Sequence, residues 1–187
     1  MQALINYFTV QGFLEESLKA FLSCIKPRKF KANDFIMAAG QTENYLSFIS
    51  SGAVRYFVLV DDKETTFDFA FANSFYCAYD SFYDRKPSQL FIQAVTDCEL
   101  YSISYQNLTE LYKQCDTARL LGQLATESLL SKKVKRELDL LTKSPAERYL
   151  NLFSQNPKLI EQIPQKFIAS YIGVVPETLS RIRKRIS

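Results

Sequence analysis

The segment spanning residues 164–187 has the pattern of two short helices separated by a sharp stop, and it constrains the fold more than any other part of the chain. Apolar residues between 165 and 172 recur at helical spacing, and Gly173 follows where a left-handed helix end is expected. Pro176 then stands where the first turn of another helix tolerates a missing amide donor. The pattern predicts a helix-turn-helix with helices over 165–172 and about 176–186.

The second of these helices is amphipathic and basic. Leu179, Ile182 and Ile186 fall on one side of it, whereas its hydrogen-bonding and charged groups project from the other. Residues 164–187 carry a net charge of +4, while the whole chain carries +3. This local charge predicts a phosphate backbone as the partner. A solvated pair of surface helices is the alternative.

Residues 30–104 have the composition of short strands. Residues 53–60 are rich in Val, Tyr and Phe, the polar stretch 61–64 connects them to the next strand, and Phe67, Phe69 and Phe71 alternate with smaller or polar residues. This predicts a hairpin with one buried aromatic face. Two more short strands, 90–95 and 100–103, flank a turn at Thr96-Asp97. Several strands at this spacing indicate an antiparallel sandwich or closed roll.

Helical patterns precede and follow the strand-rich region. Near the N-terminus a stripe of apolar residues ends before Pro27, which we expect to close that helix. Residues 116–143 contain no proline and carry two apolar stripes on nearly opposite sides of one helix. The first is Leu121, Leu124 and Ala125, and the second is Leu130, Val134, Leu138 and Leu141. We expect the first stripe to pack on the roll and the second to pair with its twin in a dimer, with a plain core helix as the alternative.

The next helix has a combined start signal. Ser144 is a capping residue, Pro145 follows at the first helical position, and Glu147 stands at the third. Apolar residues between 149 and 153 give the helix one apolar side, and Asn156-Pro157 is expected to break it.

Short motifs along the chain are similar to those of one protein family. Ile163-Pro164, Ile168-Ala169, Gly173-Val174 and the run PETLSR (176–181) resemble the DNA-binding end of the Crp/Fnr transcription regulators. The run SGAVR (51–55), with Gly52 where a positive φ is needed, and residues 98–104 resemble the strands that open and close that family's cyclic-nucleotide-binding roll. The resemblance covers essentially the whole chain.

The resemblance implies an α+β fold in three parts. These are an N-terminal antiparallel β-roll of the jelly-roll type with flanking helices (1–115), a connecting and dimerisation helix (116–143), and an all-α helix-turn-helix domain (144–187). The implied partners are promoter DNA in its double-stranded form, a second copy of the chain, and RNA polymerase.

The resemblance also assigns roles on the second helix, which it places in the major groove. Arg181 would read guanine and Glu177 a cytosine amine. Phosphate or sugar contacts would come from Thr178, Ser180, Lys184 and Arg185. Three features depart from the family: Pro176 replaces a polar residue, Val175 replaces a capping Ser or Thr, and the sequence ends at Ser187 where many relatives continue into a β-hairpin.

The family's cyclic-phosphate residues are missing. Its Gly-Glu pair and its Arg-hydroxyl pair fall on Cys77, Ala78, Ser88 and Gln89, so we predict that the chain does not bind cyclic AMP. A different small-molecule effector, or none, remains as the alternative. The candidate ligand residues are Tyr76, Tyr79, Arg85, Ser88 and Gln89, although aromatic residues here also fit a role as roll filling.

Several function classes are disfavoured by composition. The chain has no histidine, which removes the commonest metal ligand and general base and argues against a cupin-like enzyme. Its four cysteines are isolated from one another, so we expect no metal and no cofactor. Since the commonest general base is also missing, we expect no enzymatic activity. No apolar run reaches membrane-spanning length, which predicts a cytoplasmic protein with no membrane partner. The remaining alternative to DNA binding is a metabolite- or nucleotide-binding sensor that acts through protein–protein contacts.

Overall fold

The strands form two antiparallel sheets in a computed structural model that describes residues 1–155, 157 and 161–186. One sheet has the order β1-β8-β3-β6 and the other β2-β7-β4-β5, which is the arrangement of a jelly roll. The strands are β1 (Lys26–Phe30), β2 (Phe35–Met37), β3 (Tyr45–Ser51), β4 (Ala53–Val60), β5 (Lys63–Phe71), β6 (Ser74–Tyr76), β7 (Phe91–Ala94) and β8 (Cys98–Ser104).

Helices precede and follow the strands of the roll in sequence, and α3 lies between β6 and β7. They are α1 (Gln2–Thr9), α2 (Glu15–Ser23), α3 (Tyr79–Asp84), α4 (Tyr105–Gln114), α5 (Asp116–Thr142), α6 (Pro145–Gln155), α7 (Gln165–Ile172) and α8 (Pro176–Ile186). The α+β prediction, with a roll, a long helix and C-terminal helices, is confirmed. The predicted break at Asn156 and the side chain of Ile186 lie outside the described residues. No helix in the described part of the chain is both long and apolar enough to cross a membrane.

The connection between β4 and β5 is shorter than the predicted stretch 61–64. Asp61 and Asp62 both have positive φ and form a two-residue turn, so residues 63 and 64 belong to β5. The pairing register shifts between Tyr56 and Phe57, and Phe67 has no partner across the strands. This bulge turns Phe67 outward, where it is 43% exposed, and the prediction of a buried Phe67 is therefore wrong.

The N-terminal helix prediction is also corrected. The helix ends at Ser23, and Pro27 lies within β1 instead of after a helix. Among the described strands β1 pairs only with β8 and forms an edge of its sheet, where the missing amide donor of proline is tolerated.

Gly52 sits at the β3–β4 turn with φ of 95°. A side chain there would overlap the carbonyl oxygen of Asp97 and the sulfur of Cys98, so this close approach of the β3–β4 turn to the start of β8 requires glycine.

Three apolar clusters hold together the part of the molecule that the structure describes. One fills the roll around Val54, Ile92 and Leu100, and another joins the outer face of the β3 sheet to α1, α2, α4 and the first half of α5. The third joins the outer face of the other sheet, through Phe69 and Phe71, to the C-terminal helices. The C-terminal helices therefore share a core with the roll.

Candidate DNA-binding surface and interdomain contacts

The turn between α7 and α8 has the geometry of a Schellman stop. Gly173 has φ of 76°, its amide donates to Ser170 O at 3.1 Å, and the amide of Val174 donates to Ala169 O at 2.9 Å. The next helix begins with Pro176, and the amides of Thr178 and Leu179 donate to the carbonyl oxygen of Val175. The predicted stop and restart are confirmed in their backbone geometry.

One face of α8 is buried and the other is open. Leu179 is fully buried and Ile182 is half-buried against the C-terminal core. Of the predicted DNA-binding residues, Thr178 is half-buried, and the exposed ones are Glu177, Ser180, Arg181, Lys184 and Arg185. The structure brings these six residues together on one helix with three cations available to an external phosphate backbone.

Arg148 supports this turn from α6. Its Nε and Nη2 atoms donate to the carbonyl oxygen of Ile172 at 3.0 and 2.7 Å, which satisfies the end of α7. Its Nη1 atom donates to the carbonyl oxygen of Lys143, directly after α5. One guanidinium thus ties the end of the long helix to the α7–α8 turn.

The predicted ligand residues do not converge on one cavity. Tyr76 is buried inside the roll, and the ring of Tyr79 packs at a tilt of 41° against that of Tyr83, with ring centroids 4.5 Å apart. Ser88 is 2% exposed and its hydroxyl accepts from the amide of Leu90, whereas Gln89 lies on a separate exposed groove.

Arg85, the cation among those candidates, is engaged in the protein itself. Its Nη1 atom donates to the carbonyl oxygens of Glu43 and Phe82, and its Nη2 atom donates to Asn44 Oδ1 at 2.6 Å. Its guanidinium also lies 4.1 Å from the ring centre of Tyr105. These contacts join α3 to the chain that precedes β3.

A buried acid occupies the start of α3. Glu43 accepts from the amides of Tyr45 and Ala78 at 3.0 and 3.4 Å, and its own amide donates to the hydroxyl of Ser81. Burial raises the pKa of the Glu43 carboxyl. The sequence reasoning missed this residue, because a single Glu before a strand has no distinctive pattern.

Arg55 lies at the contact between the roll and α7. Its guanidinium is 3.5 Å from the ring centre of Phe167 and 4.0 Å from that of Phe57. Its Nη2 atom donates to Glu64 and Gln93 at 2.8 and 2.7 Å, but Nε and Nη1 have no hydrogen-bond partner among the described residues. Burial lowers the pKa of Arg55. A lone arginine inside the apolar run of β4 is a sequence signal for such a buried ionic contact.

Two further contacts fasten α7 to the rest of the molecule. The amide of Thr66 on β5 donates to the hydroxyl of Ser170 at 2.8 Å. Arg136 of α5 donates from Nη2 to the carbonyl oxygen of Tyr171, and its guanidinium lies 3.8 Å from the Tyr171 ring centre. The roll and the long helix thus both contact α7.

The second half of α5 presents an uncovered apolar stripe. Leu121 and Ala125 of the first stripe are buried, whereas Leu130 is 61% and Leu141 78% exposed. Val134 and Leu138 continue the exposed stripe between them. The two stripes thus have different surroundings, and the second is open to solvent.

Comparison with known proteins extends these observations. Residues 27–115 match the family described as Cyclic nucleotide-binding domain. The chain has the fold of Crp-like regulators. No curated protein matches the chain in sequence.

Solved structures with this fold cover most of the chain. The c-di-GMP responsive global regulator CLP of Xanthomonas campestris is 20% identical, with a TM-score of 0.69 over 91% of this chain and 90% of that one. FixK2 of Bradyrhizobium japonicum is 17% identical, with a TM-score of 0.73 over 87% and 84%. The catabolite activator protein of Thermus thermophilus is 23% identical, with a TM-score of 0.56 over 94% and 84%. At these identities the likeness establishes the fold, and function rests on the residues described above.

Proposed function

We propose that the chain is a DNA-binding transcription regulator without enzymatic activity. In this proposal residues 1–115 are the sensor domain, residues 116–143 connect and dimerise, and residues 144–187 bind promoter DNA through a helix-turn-helix. The observation that carries the proposal is the exposed face of α8, where Arg181, Lys184 and Arg185 lie beside polar groups and opposite a buried apolar face. The fold of solved regulators supports it.

The α8 face divides into two kinds of contact. Arg181 carries a planar fork that matches the O6 and N7 acceptors of guanine, and Glu177, one turn earlier, accepts from a cytosine amine. Thr178, Ser180, Lys184 and Arg185 contact phosphate or sugar and position the helix in the major groove.

The uncovered stripe on α5 supports a homodimer. Exposed leucines and a valine at i, i+4, i+8 and i+11 form a seam that a second copy of the same helix would bury. Dimerisation places two copies of α8 against two half-sites, and RNA polymerase is the further partner in this proposal.

The effector in this proposal is not cyclic AMP. Cys77, Ala78, Ser88 and Gln89 supply no cation for a cyclic phosphate, and Arg85 is already paired with backbone and Asn44 oxygens. The Glu43 carboxylate accepts from the amide of Ala78, the position that matches the family's glutamate, so a carboxylate already binds this amide at the start of α3. Calorimetric titration should give no binding heat with cyclic AMP. Micromolar affinity would refute this part of the proposal.

DNA binding is tested by fluorescence anisotropy with a labelled duplex at two salt concentrations. Phosphate-driven binding weakens steeply as salt rises, and Lys184→Ala should lower the slope of log K against log salt by about 1 per lost contact. Lys19→Ala, on the exposed side of α2, is the matched control and should leave the slope unchanged. Salt-independent or absent binding would favour a sensor that acts through protein–protein contacts.

A further inference from the structure

A cleft opens between the roll, the second half of α5 and α7. We call it the interdomain cleft, and its walls include Asn73, Ser74, Lys132, Arg136, Leu152 and Tyr171. Its cavity volume is about 350 Å³, which is within the range of small-molecule sites. None of the ligand residues predicted from the sequence lines it.

The described walls of the cleft hold three cations and two acids. Lys132 and Lys135 are exposed at the mouth and Arg136 is half-buried. Among the described residues none of the three forms an ion pair, and the Nε atom of Arg136 is buried without a hydrogen-bond partner.

The negative charge of the two wall acids is reduced in two different ways. Asp139 pairs with Lys143 at 2.8 Å and accepts from Asn151, which lowers its pKa and holds its charge in place. Asp68 makes no ion pair in the described part of the chain, and burial raises the pKa of its carboxyl, which disfavours its charged form. Burial also lowers the pKa of Lys132, an effect that Asp68 partly reverses. Because Asp139 is paired with Lys143, three cations in the described walls face one acid without an ion pair, and this balance of charges favours an anion.

We infer that the interdomain cleft binds a phosphorylated small molecule. A single carboxylate would be matched by one arginine, whereas a phosphoryl group offers several acceptor oxygens and up to two charges to three cations. The volume exceeds that of phosphate alone, so an organic group would fill the remainder. This inference deepens the proposed function by naming an effector class, and it rests on that function only for the regulatory consequence.

The regulatory consequence follows from what Arg136 already holds. Its Nη2 atom donates to Tyr171 of α7, so a phosphoryl group that recruits the guanidinium competes with a contact that fastens the C-terminal helices. One arrangement of the chain has the Arg136–Tyr171 contact and the other lacks it. A ligand whose affinity differs between these two arrangements would shift the balance between them.

The test is calorimetric titration of the full chain with inorganic pyrophosphate, in the absence of DNA. We expect saturable binding that is at least about tenfold weaker in a Lys132→Gln/Lys135→Gln double variant, since each lost cation removes a charge-assisted contact. The matched control is Lys19→Gln/Lys26→Gln, which removes the same charge at two exposed lysines outside the cleft and should change affinity less than about twofold. Arg136→Lys keeps the positive charge but loses the planar guanidinium that donates two parallel hydrogen bonds, and it should also weaken pyrophosphate binding.

Two outcomes would overturn the inference. One is the absence of saturable heat in the unaltered chain, and the other is an equal loss in both double variants, which would mean that pyrophosphate binding depends on net charge and not on the cleft. Melting temperatures of all variants check that they are folded. Failure of the proposed function would look different, because DNA binding would be lacking while pyrophosphate binding persisted.

Discussion

The guanidinium of Arg55 on β4 lies 3.5 Å from the ring centre of Phe167 on α7, and the arginine side chain is 1% exposed. This contact joins one sheet of the roll to α7. Two guanidinium nitrogens have no partner among the described residues, so the arginine depends on Glu64, Gln93 and the two aromatic rings beside it. The position of α7 on the roll is therefore coupled to a buried charge.

We expect Arg55 and Phe167 to be energetically coupled. A double-mutant cycle with Arg55→Met and Phe167→Leu should give a coupling free energy of about 1–2 kcal/mol, because a desolvated cation–π contact is stronger than an exposed one. Urea unfolding of the unaltered chain, the two single variants and the double variant measures this coupling free energy. Additivity within about 0.5 kcal/mol would show that the ring contributes only apolar packing.

Gly173→Ala should destabilise the C-terminal helices by about 1–2 kcal/mol, because an L side chain is strained in the left-handed conformation. A β-carbon there would lie 3.7 Å from Arg148 Nη2, which is an ordinary contact, so strain and not collision causes the loss. Gly173→Asn is the matched control, since asparagine tolerates this conformation, and it should lose less free energy of unfolding in urea. Equal losses would point to a collision instead.

Local signals in the sequence predicted the elements that depend on neighbours in the chain. Gly173 and Pro176 mark the stop and restart of helices. Ser144 and Glu147 form the expected capping box, in which the Ser144 amide donates to the Glu147 carboxylate at 2.8 Å and the Glu147 amide donates to the Ser144 hydroxyl at 3.3 Å. The bulge at Phe67 was not predictable, because it is set by the register against β4 and not by alternation within β5. The contacts of Arg55, Arg136 and Arg148 were missed for the same reason, since each joins elements distant in sequence.

Leu130→Glu/Leu138→Glu should convert the proposed dimer to a monomer, because two acids would face their counterparts across the α5 seam. Sedimentation velocity measures the change. Leu140→Glu is the control: Leu140 is similarly exposed but projects from another side of the helix, and the dimer should survive it. A monomer before any substitution would refute the seam.

Asp68→Asn should stabilise the chain at neutral pH and not at low pH. Burial raises the pKa of this carboxyl in the folded state, so the folded chain binds more protons and stability falls as pH rises from about 4 through the folded-state pKa. Asparagine removes that loss, and the gain should disappear below the unfolded pKa of the acid. Urea unfolding across this pH range measures both chains. A gain that is constant with pH would mean that the carboxyl is not responsible.

Arg181→Ala should relax base preference at one position of each half-site. A bidentate arginine–guanine pair contributes about 1–3 kcal/mol of discrimination, whereas a phosphate contact discriminates among no bases. Selection from randomised duplexes by the unaltered chain identifies the preferred site, and competition with single-base variants then measures the preference of each protein. Lys184→Ala is the comparison, since it should weaken all duplexes alike and keep the order of preference. If Arg181→Ala kept full base preference, Arg181 would contact the backbone, and Glu177 would become the leading candidate for base recognition on α8.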